Sequence, residues 1–351
     1  MQIVEVKTKS EIKRFKSFRK KLYEKDPYYV STAEFTLDML LHRETTFAKK
    51  LSISPVMGVR GREILLEALL IHNPKDAFLQ ISFFEAVENV GEEVGLFMEY
   101  VKNYAKKRNL DKIYIGLNGH LSYGVGLSLD MTAPNTFDST YSKPYYAQYF
   151  EAYTRHDMVA FCDTPSAIIP KLSHIKTNIR IRKIDFSHFE EEMERFRAIC
   201  DETIGTTFLY SETDRRHFYD LLKPMTFFLE EENILFAETE SGEVVGFVFW
   251  HPDYNEILKK GKHNSLFAIA IRYLLFKKKI KRIKLNAIGV KREYQGATTI
   301  QLLREAGKYV CKYDVVETNF VWCNNRKSMA LNRALLKNIE RRFAVFEVDL
   351  W

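Results

Sequence analysis

Residues 283–303 constrain the fold of this chain more than any other stretch. Ile283, Leu285, Ala287 and Ile288 spell a short apolar strand, residues 289–295 form a polar connection, and Ile300, Leu302 and Leu303 open an amphipathic helix. The first N–H groups of a helix lack internal partners and the helix dipole adds partial positive charge, so phosphate oxygens bind there with little help from side chains. A phosphate-bearing cofactor is therefore the first expectation, with Gln295, Gly296, Ala297, Thr298 and Thr299 as the groups that would surround it.

The flanking segments extend this pattern. Residues 314–322 alternate apolar and polar as a strand does, and residues 324–336 read as a helix capped by Asn325, with Ala330, Leu331, Ala334 and Leu335 on one stripe. A last strand is expected over 343–350. Upstream, the apolar runs 234–239 and 244–250 flank Ser241-Gly242, a hairpin signal. Taken together these residues resemble the acyl-CoA-binding region of the Gcn5-related N-acetyltransferase (GNAT) superfamily. There a strand ending hydrophobic-x-Val runs through Gln/Arg-x-x-Gly-x-Gly/Ala into a helix. Ile288-Gly289-Val290 matches the strand end and Gln295 the first motif position, while Thr298 and Ile300 stand where the family has small residues and Gly296 follows Gln295 directly. The resemblance implies a mixed α/β sheet, acetyl-CoA or another acyl-CoA as cofactor, and a small-molecule or peptide amine as acceptor.

The first half repeats the opening of the second. Ile3, Val4 and Val6 suggest a strand, and Ser10 a helix start ahead of Ile12, Phe15, Phe18 and Leu22. Ile179, Ile181 and Ile184, then Ser187 with Phe189, Met193, Phe196 and Ile199, follow the same order. Two related units are expected, 1–170 and 178–351, joined through the Pro-containing segment 163–178. Strands at 63–72, 77–84 and 112–117 and a helix at 91–107 complete the first unit. The phrases Leu22-Tyr23, Asp26-Pro27-Tyr28-Tyr29-Val30, Ser82-Phe83-Phe84-Glu85 and Tyr141-Ser142-Lys143-Pro144-Tyr145-Tyr146 resemble a bacterial family of tandem GNAT-domain proteins. That likeness implies two acyl-CoA N-acyltransferase-like domains, the first degenerate.

For catalysis, proton removal from an ammonium calls for a base. Glu317 and His251, the latter two residues before Asp253, are the candidates by topology, and Tyr294 or Tyr309 the candidate acid. The family's tyrosine on the last helix falls at Asn332, which has no proton to give at neutral pH. Ile288, Val290 and Asn325 join the cofactor set, while Trp322, Tyr145 and Tyr146 are read as core or groove lining.

Composition narrows the alternatives. The four cysteines have no metal-ligand spacing and the N-terminus shows no basic-then-apolar leader, so a reducing cytoplasm is expected, with no metal. The apolar run 266–276 is too short to span a bilayer. Its basic continuation, Lys277 to Lys284, reads first as a solvated helix end, and a net charge of +7 is compatible with a polyanionic cofactor. Two further readings stay open: an aminoacyl-tRNA-dependent transferase of the peptidoglycan-building type, the one case in which nucleic acid would be a partner, and a non-catalytic ligand-binding protein.

Overall fold

Short apolar strands alternate with capped helices from the first residues onward in the computed structural model, which describes residues 1–30, 33–130, 133–175, 177–260 and 264–351. The first half runs β1 (Gln2–Glu5), α1 (Lys9–Tyr23), α2 (Ala33–Leu41), α3 (Thr46–Lys50), β2 (Ser52–Arg60), β3 (Glu63–His72), β4 (Phe78–Ala86), α4 (Gly91–Lys106), β5 (Lys112–Ile115), β6 (Leu127–Ser128), a 3-10 segment at Pro144–Phe150, and β7 (Thr154–Asp163). The second runs α5 (Pro165–Ile168), β8 (Arg180–Lys183), α6 (Phe189–Ile204), α7 (His217–Leu222), β9 (Ile234–Glu238), β10 (Val244–Pro252), α8 (Leu266–Phe276), β11 (Arg282–Val290), α9 (Ala297–Val310), β12 (Val315–Thr318), β13 (Val321–Trp322), α10 (Arg326–Leu335) and β14 (Asn338–Asp349). The connection 163–178 holds α5, and Lys176 within it lies outside the described residues.

Three local expectations are corrected. The cap of α1 is Thr8, not Ser10: its hydroxyl accepts from Glu11 N while the Glu11 carboxylate reaches back to Thr8 N, a reciprocal capping box. α6 is preceded by a 3-10 turn that Asp185 caps, so Ser187 lies inside that turn and does not start the helix. The expected strand 314–322 is two strands, because β12 pairs with β11 and β7 whereas β13 pairs with β7 alone.

All the strands join one sheet, in the order β1-β2-β3-β4-β5-β14-β7-β12-β11-β10-β9-β8, with β6 on β14 and β13 on β7. The two halves have traded their last strands. β14 lies beside β5 of the first half, and β7 beside β12 of the second, while β7 and β14 pair with each other from Asn338↔Cys162 to Glu347↔Thr154. Each half contains one parallel pair, β4 with β5 and β11 with β12. Helices cover both faces. α4 lays Val94, Phe97, Met98 and Val101 on the first half of the sheet, and α9 lays Leu302, Ala306 and Val310 on the second.

Candidate functional site

β11 and β12 run hydrogen-bonded only from Arg282↔Val315 to Leu285↔Thr318. A last bond, from Asn319 N to Leu285 O at 2.8 Å, ends the ladder, and β11 continues alone to Val290. A slot opens between the parted strands. Asn286 is the extra residue of a bulge, since Trp250 faces Leu285 and Phe249 faces Ala287. Leu285, Asn286, Ala287 and Ile288 on one side and Thr318 to Trp322 on the other line a cavity of about 330 Å³ between the halves. The Oδ1 and Nδ2 of Asn286 are both buried without a hydrogen-bond partner among the described residues. Such an amide costs stability unless something else meets it.

Beyond the slot the chain makes one 3-10 turn and enters α9 through Gly296, whose φ of +87° favours glycine. The N–H groups of Ala297, Thr298 and Thr299 precede the first intrahelical acceptor, no side chain caps them, and no acidic residue stands in the first turn. Gln295 does not cap either: its Nε2 donates to Val290 O at 3.2 Å and pins the turn to the strand. Thr298 is buried, and it lies on the stripe of Leu302, Ala306 and Val310 that faces the sheet. Ile300 packs with the cluster of Val159, Phe161 and Met329. Neither bulky residue therefore points across the helix start. Gly289 has a different reason to be glycine, since a Cβ there would come within 2.2 Å of Thr203 Oγ1 on α6.

The first half carries the same parting of strands, but side-chain hydrogen bonds bridge it. β4 leaves β5 after Ile81↔Ile115, and Phe83 sits at φ +49°. Asn118 Oδ1 accepts from Phe83 N at 2.9 Å across the gap, and Gln80 bonds Gly119 through both ends of its amide. The turn into α4 is taken by tyrosines of the Pro144–Phe150 segment. Tyr146 Oη accepts from Ala86 N at 3.0 Å, Tyr145 donates to Ala86 O at 2.8 Å, and Tyr149 donates to Val87 O at 3.2 Å. Glu92 and Glu93 in the first turn of α4 oppose any anion there.

Of the expected catalytic groups, Glu317 is fully buried and does not line the cavity. Its carboxylate accepts from Arg341 Nε at 2.9 Å, Arg282 Nη1 at 2.5 Å and Thr136 Oγ1 at 3.1 Å, so three donors and two positive charges already satisfy it. His251 is also buried away from the cavity. Nδ1 lies 2.8 Å from Pro252 O, and burial, with the Lys284 ammonium nearby, pulls the imidazole down to about 3. Such a histidine is neutral and walled off from any acceptor. Tyr294 and Tyr309 pack at the edge of the cluster beneath α9, outside the cavity lining. Asn325 caps α10 by accepting from Ser328 N at 3.1 Å, and it borders the cavity with Asn332 and Trp322. Tyr145 and Tyr146 belong to the plug of the first half.

A carboxylate that does line the cavity without a partner among the described residues is Asp138, to which no local pattern pointed. It has a left-handed φ of +66°, it lines the cavity with its side chain exposed, and it makes no hydrogen bond or ion pair among the described residues. Burial raises its pKa from the ordinary carboxylate range, and the Lys284 ammonium partly offsets this. Lys284 stands two residues before Asn286, fully buried, with no hydrogen-bond partner for Nζ among the described residues. The segment presenting Asp138 is held by Glu317 and Asp253, together with Asn255 and Arg341. Asp253 Oδ1 accepts from Phe137 N at 2.8 Å, Glu317 takes the Thr136 hydroxyl, Asn255 Nδ2 donates to Asn135 O at 2.8 Å, and Arg341 donates to Pro134 O at 2.6 Å.

With this geometry in view, the fold can be compared with others. No protein-family model matches the chain, and no curated protein matches it in sequence. Solved structures do match. A tandem GNAT protein from the clavulanic acid biosynthesis pathway aligns with 100% of this chain and 98% of its own at a TM-score of 0.58 and 11% identity. A probable N-acyltransferase from Enterococcus faecalis V583 aligns with 99% of this chain and 72% of its own at 0.57 and 9%. A GCN5-related N-acetyltransferase from Anabaena variabilis ATCC 29413 aligns with 100% and 73% at 0.51 and 6%. Two parallel strand pairs that part at a bulge, each leading toward a helix start, within a sheet matched over its whole length: this chain has the tandem fold of the Gcn5-related N-acetyltransferases.

Proposed function

We propose that the chain is an acyl-CoA-dependent N-acyltransferase. In this reading 178–351 holds the cofactor, and 1–170 is a degenerate counterpart that closes the acceptor cavity. The observation that carries the proposal is the parting of β11 from β12 ahead of the uncapped start of α9, beside a cavity that Leu285 to Ile288 line and that Asp138 enters with no partner for its carboxylate among the described residues. The fit is chemical as well as spatial: free N–H donors at a helix start suit a diphosphate, and the unpartnered Asn286 amide at the bulge suits an amide-bearing arm. Ala297, Thr298 and Thr299 would hold the diphosphate through their N–H groups, and Leu285 to Ile288 would line the arm.

Bound there, an acyl-CoA supplies an acyl group activated as a thioester. Asp138 accepts the proton that an ammonium must lose before its nitrogen can attack a carbonyl carbon; the amine then gains the acyl group as an amide and the thiol leaves. The Lys284 charge favours the ionised form of Asp138, against the burial that favours the neutral acid. The acceptor is an amine small or extended enough to enter a cavity of about 330 Å³.

The first test is ligand-dependent thermal stability. A ligand bound at a hundred times its Kd stabilises a fold by about 2.7 kcal/mol, a shift of several degrees. Acetyl-CoA or longer acyl-CoAs are expected to raise the midpoint and to be slowly hydrolysed. No shift with any acyl-CoA, together with a salt-sensitive shift by charged tRNA, would replace this reading with aminoacyl transfer.

A further inference from the structure

The helix α8 is apolar on both sides. Ile269, Ala270 and Tyr273 face inward and are buried. The outer side carries Phe267, Ile271, Leu274 and Leu275, exposed at 76%, 43%, 71% and 69%. At about 100° per residue these four fall within roughly 100° of arc, so they form one stripe rather than scattered points. Phe227, 75% exposed, lies three residues from Glu230, which accepts from Tyr273 Oη at 2.8 Å and so holds that segment against the same helix.

Lysines stand at both ends of the stripe. Lys259 and Lys260 are exposed before α8, and Lys277, Lys278 and Lys279 are exposed directly after it, with Lys281 beyond. Nearby acids offset only part of this charge. Glu230 lies 3.5 Å from Lys277 and Asp314 3.4 Å from Lys281, while Glu256 accepts from the backbone N–H groups of Lys281 and Arg282. Lys278 and Lys279 make no ion pair among the described residues. A contiguous apolar strip of this kind marks an interaction surface. Its flanking cations select the partner, because an apolar stripe with lysines at its ends matches the acyl boundary and the anionic headgroups of a bilayer, each basic residue near such a surface adding about 1 kcal/mol.

We propose that α8 docks the protein on the surface of an anionic membrane, lying in the interface without crossing it. At about 16 Å it is far too short to span, and no helix among the described residues is long and apolar enough to do so. The inner side of the same helix contributes Leu266 and Ile269 to the cavity lining, so docking brings the cavity within one helix thickness of the lipid.

The test uses the full chain and sedimentation with vesicles of phosphatidylcholine alone or mixed with phosphatidylglycerol. Binding is expected to the mixed vesicles, to be at least tenfold weaker on phosphatidylcholine alone, and to weaken with salt. Phe267→Ser/Leu274→Ser is expected to abolish it with an unchanged thermal midpoint, since both side chains are exposed. Lys278→Glu/Lys279→Glu is expected to remove the preference for anionic lipid. Equal sedimentation of the serine variant and the parent protein overturns the proposal, as does no sedimentation with either vesicle. A dimer in sedimentation velocity that the serine variant dissolves also overturns it and assigns the stripe to a second copy of the chain.

Discussion

Asp138 and Glu317 are both carboxylates, and their surroundings are opposite. Glu317 meets two guanidinium groups and a hydroxyl, whereas Asp138 meets the cavity. Replacing Asp138 with Asn is expected to lower kcat by about 10²–10⁴ with little change in stability, measured as CoA release with a panel of amines. The pH profile carries a sign. A carboxyl whose pKa is raised above its ordinary value near 3.9 is a base only above the raised value, so activity falls as pH drops through it, and Asp138→Asn removes that limb. Glu317→Gln acts differently. It leaves Arg341 without its buried counter-charge and Arg282 with Glu340 alone, and is expected to cost about 3–5 kcal/mol in urea unfolding, while the acidic limb stays with Asp138.

Among the elements, the start of α9 and the start of α4 are the informative pair. One has free N–H groups and no acid in its first turn; the other has tyrosine hydroxyls against the preceding turn and two glutamates. Gly296→Val puts a β-branched side chain at φ +87° in the turn that aims the N–H groups, although no neighbour lies within 4 Å of the position. The expected result is a loss of most of the acyl-CoA-induced rise in melting temperature. Tyr146→Phe in the first half is expected to leave that rise intact and to lower stability by about 1–3 kcal/mol, because Ala86 N and the Glu85 carboxylate lose a buried partner. Most of these elements were legible in sequence. Glu63–His72 and the start of α4 fall where hydrophobic periodicity puts them, and Asn325 caps α10 as its position before the apolar stripe suggests. The break between β12 and β13 falls just after the polar run Glu317-Thr318-Asn319, which a reading of 314–322 as one strand passes over, and the change of partner makes it plain.

At the scale of the molecule, the exchange of β7 and β14 makes the halves interdependent. β14 closes the first half against β5 and β6, and β7 closes the second against β12 and β13. Residues 1–170 expressed alone would leave β5 without its neighbour and expose both edges of β7, the condition that favours aggregation. The expected outcome is an insoluble or non-cooperatively unfolding fragment, checked by solubility and urea denaturation, with native-like signal recovered on co-expression with 178–351. A cooperatively folded 1–170 would contradict the exchange.

What the sequence determined by itself is what short-range physics can encode: the strand, turn and helix of 283–303, the capped helices, and an apolar repeat consistent with two like units. What only the tertiary structure decided is which strands pair across the halves and that Asp138 lines the cavity without a partner among the described residues while Glu317 does not line it. Any apolar strand end satisfies the periodicity of β7 or β14, so their partners are chosen by register against strands far away in the chain. Asp138 belongs to no helix or strand, and its placement comes from Asp253, Asn255, Glu317 and Arg341 holding its segment, groups that lie more than a hundred residues further along the sequence.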